Sequence, residues 1–160
     1  MLIKTTYYVD GDITDLDIEM LINDGIKGLI LDLDSTVMAP KAGSLTDEAS
    51  AWLERARAHF QMLILSNNKE QEYLDLAQTI LAMPVIGCAA KPSPAGFKKS
   101  LTLLNLSACE AAVVGDRALT DILGGNMSNI KTVLVRPLKS IVEPGWKTYV
   151  RNLERSLVRR

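Results

Sequence analysis

The sequence predicts an α/β domain built on a doubly wound, mostly parallel sheet of about five strands. Two observations carry this prediction: five short apolar runs recur along the chain, and helical patterns separate them. Each run is continuously apolar rather than alternating, which is typical of strands buried on both faces of a parallel sheet. The runs cover residues 28–33, 61–65, 84–88, 111–114 and 132–135.

Helix signals fill the intervals between these runs. Thr46 can cap a helix that extends to about His59, and Pro94 in a first turn opens another helix toward Leu104. Further helices are predicted over residues 16–23, 69–81 and 121–127. A chain of 160 residues has the size of one domain, so we predict a single domain over residues 1–160.

Composition narrows the class of protein. Hydrophobic residues make up 48% and charged residues 23%, as in ordinary globular proteins. The apolar runs are too short for a membrane-spanning helix, and we expect no signal peptide. Cys88 and Cys109 lack a C-x-x-C spacing and lie among apolar residues, so we expect reduced thiols in the core. These features favour a cytoplasmic protein.

Polar residues follow four of the predicted strands, at the points where the strands end. In an open parallel sheet, ligands bind beyond the carboxyl ends of the strands, so these residues are expected to meet at one edge. They are Asp32 and Asp34 after the first strand, Ser66 and Asn67 after the second, Lys91 after the third, and Asp116 after the fourth.

These residue types suit the binding and transfer of a phosphate. Asp32 and Asp34 flank one apolar residue, and Asp116 and Asp121 supply further carboxylates. Carboxylates that share a site repel, and a few hard oxygen ligands suit Mg²⁺. A carboxylate nucleophile can split phosphate hydrolysis into two steps, while a second carboxylate acts as general acid and base.

Donors for the phosphate come from other strand ends. Ser66 offers a hydroxyl, backbone N–H groups after it are expected to open a helix, and Lys91 offers a positive charge. We include Asn67 and Thr36 among the candidate substrate-binding residues.

The ordered set of motifs resembles that of the haloacid dehalogenase (HAD) superfamily phosphatases, and the resemblance covers nearly the whole chain. The segment Asp32-Leu33-Asp34-Ser35-Thr36 matches the first motif, and Ser66 and Lys91 match the second and third. The fourth is matched by Gly115-Asp116 with Asp121.

This resemblance implies a role for each matched residue. Asp32 would be the nucleophile and Asp34 the general acid and base. Mg²⁺ would be held by Asp32, the carbonyl of Asp34 and Asp116, with Asp121 in support. Ser66 and Lys91 would hold the phosphate, and Thr36 would brace the first loop.

Segments 25–34 and 115–126 resemble, more narrowly, the phosphatidylglycerophosphate phosphatase-like branch of subclass III A. Members of that branch usually carry asparagine at position 35, where this chain has Ser35. The substitution leaves the carboxylates in place. The branch implies that the substrate is phosphatidylglycerophosphate, whose phospholipid head group loses its terminal phosphate to give phosphatidylglycerol.

The spacing between motifs leaves no room for a cap domain. Thr36 and Ser66 are separated by 29 residues, and Ser66 and Lys91 by 24, each enough for about one helix and one strand. The resemblance implies that capless members tend to act on large or surface-bound phosphates.

The C-terminal segment, residues 145–160, reads as a basic amphipathic helix. The stretch 131–160 carries eight basic and two acidic residues, a net charge of +6, although the whole chain is at −1. Trp146, Val150, Leu153 and Leu157 recur at helical spacing beside Lys147, Arg151, Arg155 and Arg159. Such a helix could contact an anionic membrane surface peripherally, or pack its apolar stripe on the core. Aromatic residues do not alternate with the basic ones in this segment, so the sequence does not favour nucleic acid as a partner.

Other functions stay open at this point. A capless HAD phosphatase could act on soluble sugar phosphates, nucleotides or phosphoproteins. A protein of another class could use the same aspartyl phosphate as a signalling receiver, or could be a scaffold that has lost turnover.

Overall fold

A computed structural model describes residues 3–159. The strands, β1 to β8 in chain order, are Ile3–Lys4, Tyr7–Tyr8, Gly28–Leu31, Gln61–Leu65, Val85–Ile86, Ala111–Gly115, Lys131–Leu134 and Val158–Arg159. The α-helices, α1 to α6, are Ile18–Asn23, Asp47–Arg57, Gln71–Leu81, Pro94–Leu104, Leu123–Met127 and Gly145–Ser156. A π-helical turn over Ala118–Ile122 leads into α5.

The main sheet has six strands in the order β2-β7-β6-β3-β4-β5, and every neighbouring pair is parallel. The predicted α/β class, the parallel sheet and all five predicted strands are confirmed. The sixth strand, β2, was missed because its two residues lie half-buried at the edge, without the apolar run that marked the others. β1 and β8 form a separate parallel pair.

The core lies on both faces of the sheet, as the continuously apolar strands predict. Along β3, Leu29 and Leu31 pack into the cluster that contains Trp52 of α2, while Ile30 packs into the cluster that contains Phe97 of α4. Residues of both orientations are therefore buried. Packing on both faces thus fixes β3 inside the sheet, and the loop that carries the first motif follows directly from its carboxyl end.

The helix signals operate as the sequence suggests. The Thr46 hydroxyl accepts a hydrogen bond from the Ala49 N–H and caps α2, and Pro94 is the first residue of α4. One helix and one strand lie between Thr36 and Ser66, and the same holds between Ser66 and Lys91. The absence of a cap domain in these two intervals is therefore confirmed.

Two expectations differ from the structure. Cys88 and Cys109 are both exposed, so they are not core thiols. The C-terminal helix ends at Ser156, four residues before its predicted end, because Val158 packs in strand β8 against the cluster that contains Ile3 and Ala118. Arg160, the last residue of the predicted helix, lies outside the described residues, as do residues 1 and 2.

Candidate active site

The strand order brings the predicted motifs to one edge of the sheet. β4 and β6 flank β3, so the residues that follow these strands, Ser66, Asp116 and Asp32, are neighbours in space. They line an open cavity of about 340 Å³ together with Asp34 and Lys91. The convergence expected from the rule for parallel sheets is therefore present in the structure.

Three carboxylates at this edge form a tight cluster. One oxygen from each of Asp32, Asp116 and Asp121 lies within 4.8 Å of the other two. Burial, together with the charge of Asp32, raises the pKa of Asp116 well above its usual range and that of Asp121 to about 6. Carboxylates held this close repel each other unless a cation lies among them. The oxygen donors thus fit a small divalent cation.

Gly115 makes the close approach of Asp121 possible. A Cβ atom at position 115 would overlap the Asp121 carboxyl group, so only glycine fits between β6 and this side chain. The backbone N–H of Arg117 also donates to Asp121 Oδ2 at 3.2 Å. The Gly-Asp motif therefore has a packing reason as well as a chemical one.

Lys91 is a buried cation in the carboxylate cluster. Its Nζ lies 2.6 Å from Asp32 Oδ1 and 2.7 Å from Asp121 Oδ1, and its side chain is 3% exposed. Burial lowers the pKa of Lys91, but the charges of Asp121 and Asp32 more than offset this, so its pKa lies above the usual range. The ammonium therefore stays protonated next to the predicted nucleophile.

Asn67 positions the backbone of Lys91. Its Oδ1 accepts a hydrogen bond from the Lys91 N–H at 2.7 Å, and its Nδ2 donates to the Lys91 carbonyl at 3.1 Å. Although Asn67 lines the cavity, both ends of its amide are engaged in this way. This geometry is that of a positioning residue, and the contact of Asn67 with substrate stays a prediction.

The loop after β3 is braced by Thr36. Its hydroxyl lies 3.0 Å from Asp32 Oδ2 and 3.3 Å from Asp116 Oδ1, and the side chain is fully buried. The bracing role implied by the resemblance agrees with this geometry, whereas a direct contact with substrate does not. Ser35 adopts a left-handed φ of 69°, a conformation that asparagine tolerates better than most residues.

Asp34 faces a different set of partners from Asp32. The Tyr73 hydroxyl donates to Asp34 Oδ1 at 2.8 Å, and Asn68 Nδ2 lies 3.4 Å from Oδ2. Burial, and then this hydrogen bond, raise the pKa of Tyr73, so the phenol stays a donor. The Asp34 carboxylate therefore lies outside the three-carboxylate cluster. Nothing in the sequence pointed to Tyr73, which reaches the site from α3.

Ser66 is buried in the turn after β4. Its Oγ accepts a hydrogen bond from the Asn68 N–H at 3.1 Å. We expected the N–H groups directly after Ser66 to open a helix. Helix α3 begins only at Gln71, so these groups do not lie at a helix N-terminus. The turn follows from Asn68, whose Oδ1 accepts the Glu70 N–H and so continues the chain without a helix.

The C-terminal helix supplies residues that the sequence did not assign to the site. Arg151 contacts Asp116 Oδ2 through Nη1, and its Nε and Nη2 pair with Glu143 at 2.9 and 2.6 Å. Arg117, next to Asp116, pairs through Nε with Glu154 at 2.9 Å. The spacing of basic residues was visible in the sequence, but the direction in which this face points was not.

The structure rules out one of the two arrangements that the sequence left open for α6, the packing of its apolar stripe on the core. Arg151 and Arg155 on its basic side face the protein, and the apolar stripe is exposed. Trp146, Tyr149 and Leu153, which we call the outer face of α6, are 66%, 70% and 56% exposed. Glu154 is the buried residue of this helix, because Arg117 neutralises its charge. The helix is thus held by ion pairs.

Comparison with known proteins agrees with this site. A HAD-hydrolase-like family model matches residues 88–137. The probable phosphatase YqeG of Bacillus subtilis is 34% identical over 123 residues, which cover 76% of this chain and 71% of that protein. Phosphatidylglycerophosphate phosphatase 1 of Arabidopsis thaliana is 30% identical over 159 residues, covering 93% of this chain but 45% of the plant protein. This chain therefore spans less than half the length of the plant protein.

The fold also matches solved structures. The deoxy-D-mannose-octulosonate 8-phosphate phosphatase of Haemophilus influenzae superposes with a TM-score of 0.53 at 13% identity, covering 84% of this chain and 90% of that one. At this identity the match shows a shared fold. The fold and the site define a phosphatase that carries a nucleophile candidate at the end of its central strand. The chain belongs to the HAD superfamily of phosphatases.

None of the helices among residues 3–159 has the length and apolar character needed to cross a membrane.

Proposed function

We propose that the chain is a Mg²⁺-dependent phosphatase that works through a phosphorylated Asp32 and removes the terminal phosphate of phosphatidylglycerophosphate. The observation that carries the chemistry is the contact of Lys91 with both Asp32 and Asp121 in an open cavity. The substrate rests on the names of relatives, among them the plant phosphatidylglycerophosphate phosphatase 1, and on the open, capless site.

In the first step, an Asp32 carboxylate oxygen attacks the phosphorus atom of the ester. A new P–O bond forms while the bond from phosphorus to the alcohol oxygen breaks, and Asp34 gives its proton to the departing alkoxide. In the second step, Asp34 takes a proton from a water molecule whose oxygen attacks the phosphorus. The bond to Asp32 then breaks, which releases inorganic phosphate and restores both carboxyl groups.

Negative charge on the transferred phosphoryl group needs fixed positive partners. Lys91 and the Ser66 hydroxyl would face this group, and the Asn67 amide would keep Lys91 in position. Mg²⁺ would be held by Asp32, the carbonyl of Asp34 and Asp116, with Asp121 in support. When bound, it supplies positive charge that offsets the repulsion between carboxylates and phosphate.

A membrane association would bring this site to its substrate. The outer face of α6 is apolar and exposed, and the same helix presents Arg151 and Lys147 to the cavity. A bilayer that covers Trp146, Tyr149 and Leu153 would therefore lie beside the cavity that takes the head group. The membrane contact is then the apolar side of α6 rather than its basic side.

The decisive experiment measures Mg²⁺-dependent phosphate release from phosphatidylglycerophosphate vesicles and from soluble phosphate esters. We expect release from vesicles that is abolished by Asp32→Asn and by EDTA. Release from soluble esters alone would keep the chemistry and favour sugar phosphates, nucleotides or phosphoproteins as substrates. A phosphoaspartate that lasts for hours would indicate a signalling receiver, and no phosphorylation at all would indicate a scaffold.

A further inference from the structure

A second cavity lies beside the active site, against helix α6. It has a volume of about 170 Å³ and is lined by Arg117, Trp146, Lys147, Val150 and Arg151. Its three cationic residues also line the active-site cavity, so the two cavities adjoin along this basic wall. A ligand that fills the active site therefore lies next to the residues that also line the second cavity.

The cations of this wall differ in how far they are already neutralised. The guanidinium of Arg151 is paired with Glu143 and Asp116, and Arg117 is paired with Glu154 through Nε and Nη2. Lys147 forms no ion pair within the described part of the chain, and its ammonium lies 5.7 Å from the centre of the Trp146 ring. Lys147 and the remaining Nη1 of Arg117 are therefore the donors available to a ligand.

The remaining walls of the second cavity are apolar. Trp146 and Val150 supply this apolar lining, and their side chains are partly exposed at the surface of α6. A group that fits here has an anionic part next to an uncharged, carbon-rich part. A phosphate dianion held at Asp32 and Lys91 is a separate feature, because those residues line only the first cavity.

We propose that the second cavity binds a phosphodiester of the substrate, the one that joins the terminal glycerol phosphate to the rest of the lipid. The proposal rests on the proposed phosphatase function and deepens it by identifying what selects the substrate. Lys147 is then a specificity residue: it contacts the phosphodiester and leaves the scissile phosphate to Lys91. The ion pairs hold the two guanidiniums in place, so binding need not order them, and Lys147 supplies the unpaired positive charge.

Soluble compounds separate this site from any membrane effect. The deacylated head group, glycerophosphoglycerol phosphate, carries both the monoester and the diester, whereas glycerol 3-phosphate carries the monoester alone. We expect Lys147→Ala to lower the ratio of kcat/KM for the first compound to kcat/KM for the second by about fivefold, as for loss of one exposed ion pair. Lys98→Ala, an exposed lysine on α4, is the matched control and should leave the ratio unchanged.

An inhibition experiment tests the same site without a scissile bond. Glycerophosphoglycerol carries only the diester, and we expect it to inhibit hydrolysis of glycerol 3-phosphate competitively. Lys147→Glu should raise its inhibition constant by more than about tenfold, since the charge is reversed. An unchanged substrate ratio and an unchanged inhibition constant in active Lys147 variants would overturn the proposal. If the wild-type chain hydrolyses neither monoester, the proposed function fails and this proposal fails with it.

Discussion

The Tyr73 hydroxyl donates a 2.8 Å hydrogen bond to Asp34 Oδ1, so helix α3 orients the proposed general acid from outside the four sequence motifs. Oδ2 of the same carboxyl lies toward Asn68, at the longer distance of 3.4 Å. One carboxylate oxygen is therefore fixed, and the other, with its longer contact, would exchange the proton with the leaving alcohol in the proposed mechanism.

Removing that hydroxyl should slow catalysis without unfolding the chain. We expect Tyr73→Phe to lower kcat about tenfold, because a hydrogen bond to a charged group contributes roughly 1.5 kcal/mol. Phosphate release at saturating substrate checks this, with Tyr149→Phe on the exposed side of α6 as control. An unchanged kcat in the Tyr73→Phe variant would show that Asp34 does not need this orientation.

Lys91 should contribute to stability as well as to catalysis. Its removal leaves the buried Asp121 and the half-buried Asp32 without their shared cation, so we expect Lys91→Met to lower the free energy of unfolding by about 3–5 kcal/mol. Urea denaturation in EDTA measures the loss, and Lys98→Met is the exposed control. The same variant should lack phosphatase activity. A fully stable Lys91→Met protein would contradict the geometry of the cluster.

The parts of the site that the sequence could predict are those that follow directly from strands. Asp32, Ser66 and Asp116 each come after a buried apolar run, and a parallel sheet brings such strand ends to one edge whatever the helices do. The same reasoning identified Lys91. The shared direction of the parallel strands was sufficient to place these residues at one edge, because few other strand arrangements fit the pattern.

The parts that it could not predict depend on how helices are rotated about their axes. Tyr73 and Arg151 reach the site from α3 and α6, and neither lies near a strand end. For α6, hydrophobic periodicity left open whether the apolar stripe packs on the core or contacts a membrane, and the pairing of Arg117 with Glu154 holds the charged side inward. A pattern of apolar residues cannot show such pairing, since the acidic partner and the base are 37 residues apart.

The carboxylate cluster predicts that stabilisation by Mg²⁺ depends on pH. In the metal-free fold, the pKa values of Asp116 and Asp121 are raised, the latter to about 6, so the folded chain holds protons that the unfolded chain releases near pH 4. The contribution of these two carboxyls to the free energy of unfolding without metal should therefore fall as pH rises from about 4 to 6.

Metal binding should reverse this trend, because it requires deprotonated carboxylates. We expect the increase in Tm on adding Mg²⁺ to be small at about pH 5 and several degrees larger at about pH 7. Thermal unfolding with Mg²⁺ or with EDTA measures the difference, and Asp121→Asn should weaken the dependence. An equal increase in Tm at both pH values would contradict a cation site at these carboxylates.

The outer face of α6 predicts how the chain meets a bilayer. Tyr149 and Leu153 are 70% and 56% exposed, and neither lines the two cavities of the site. We expect the double substitution Tyr149→Ser with Leu153→Ser to weaken binding to anionic vesicles about thirtyfold, which corresponds to about 2 kcal/mol of lost apolar burial. Co-sedimentation with vesicles of defined composition measures the affinity.

The matched control for this surface replaces two exposed leucines elsewhere, Leu76→Ser on α3 and Leu103→Ser on α4. These changes remove similar apolar area from positions that do not line the cavity, so vesicle binding should stay at the wild-type level. Hydrolysis of a soluble ester should be the same in both double variants, because neither touches the carboxylates or Lys91. Equal loss of vesicle binding in the two variants would indicate non-specific adsorption, and no loss in either would remove α6 as the membrane contact.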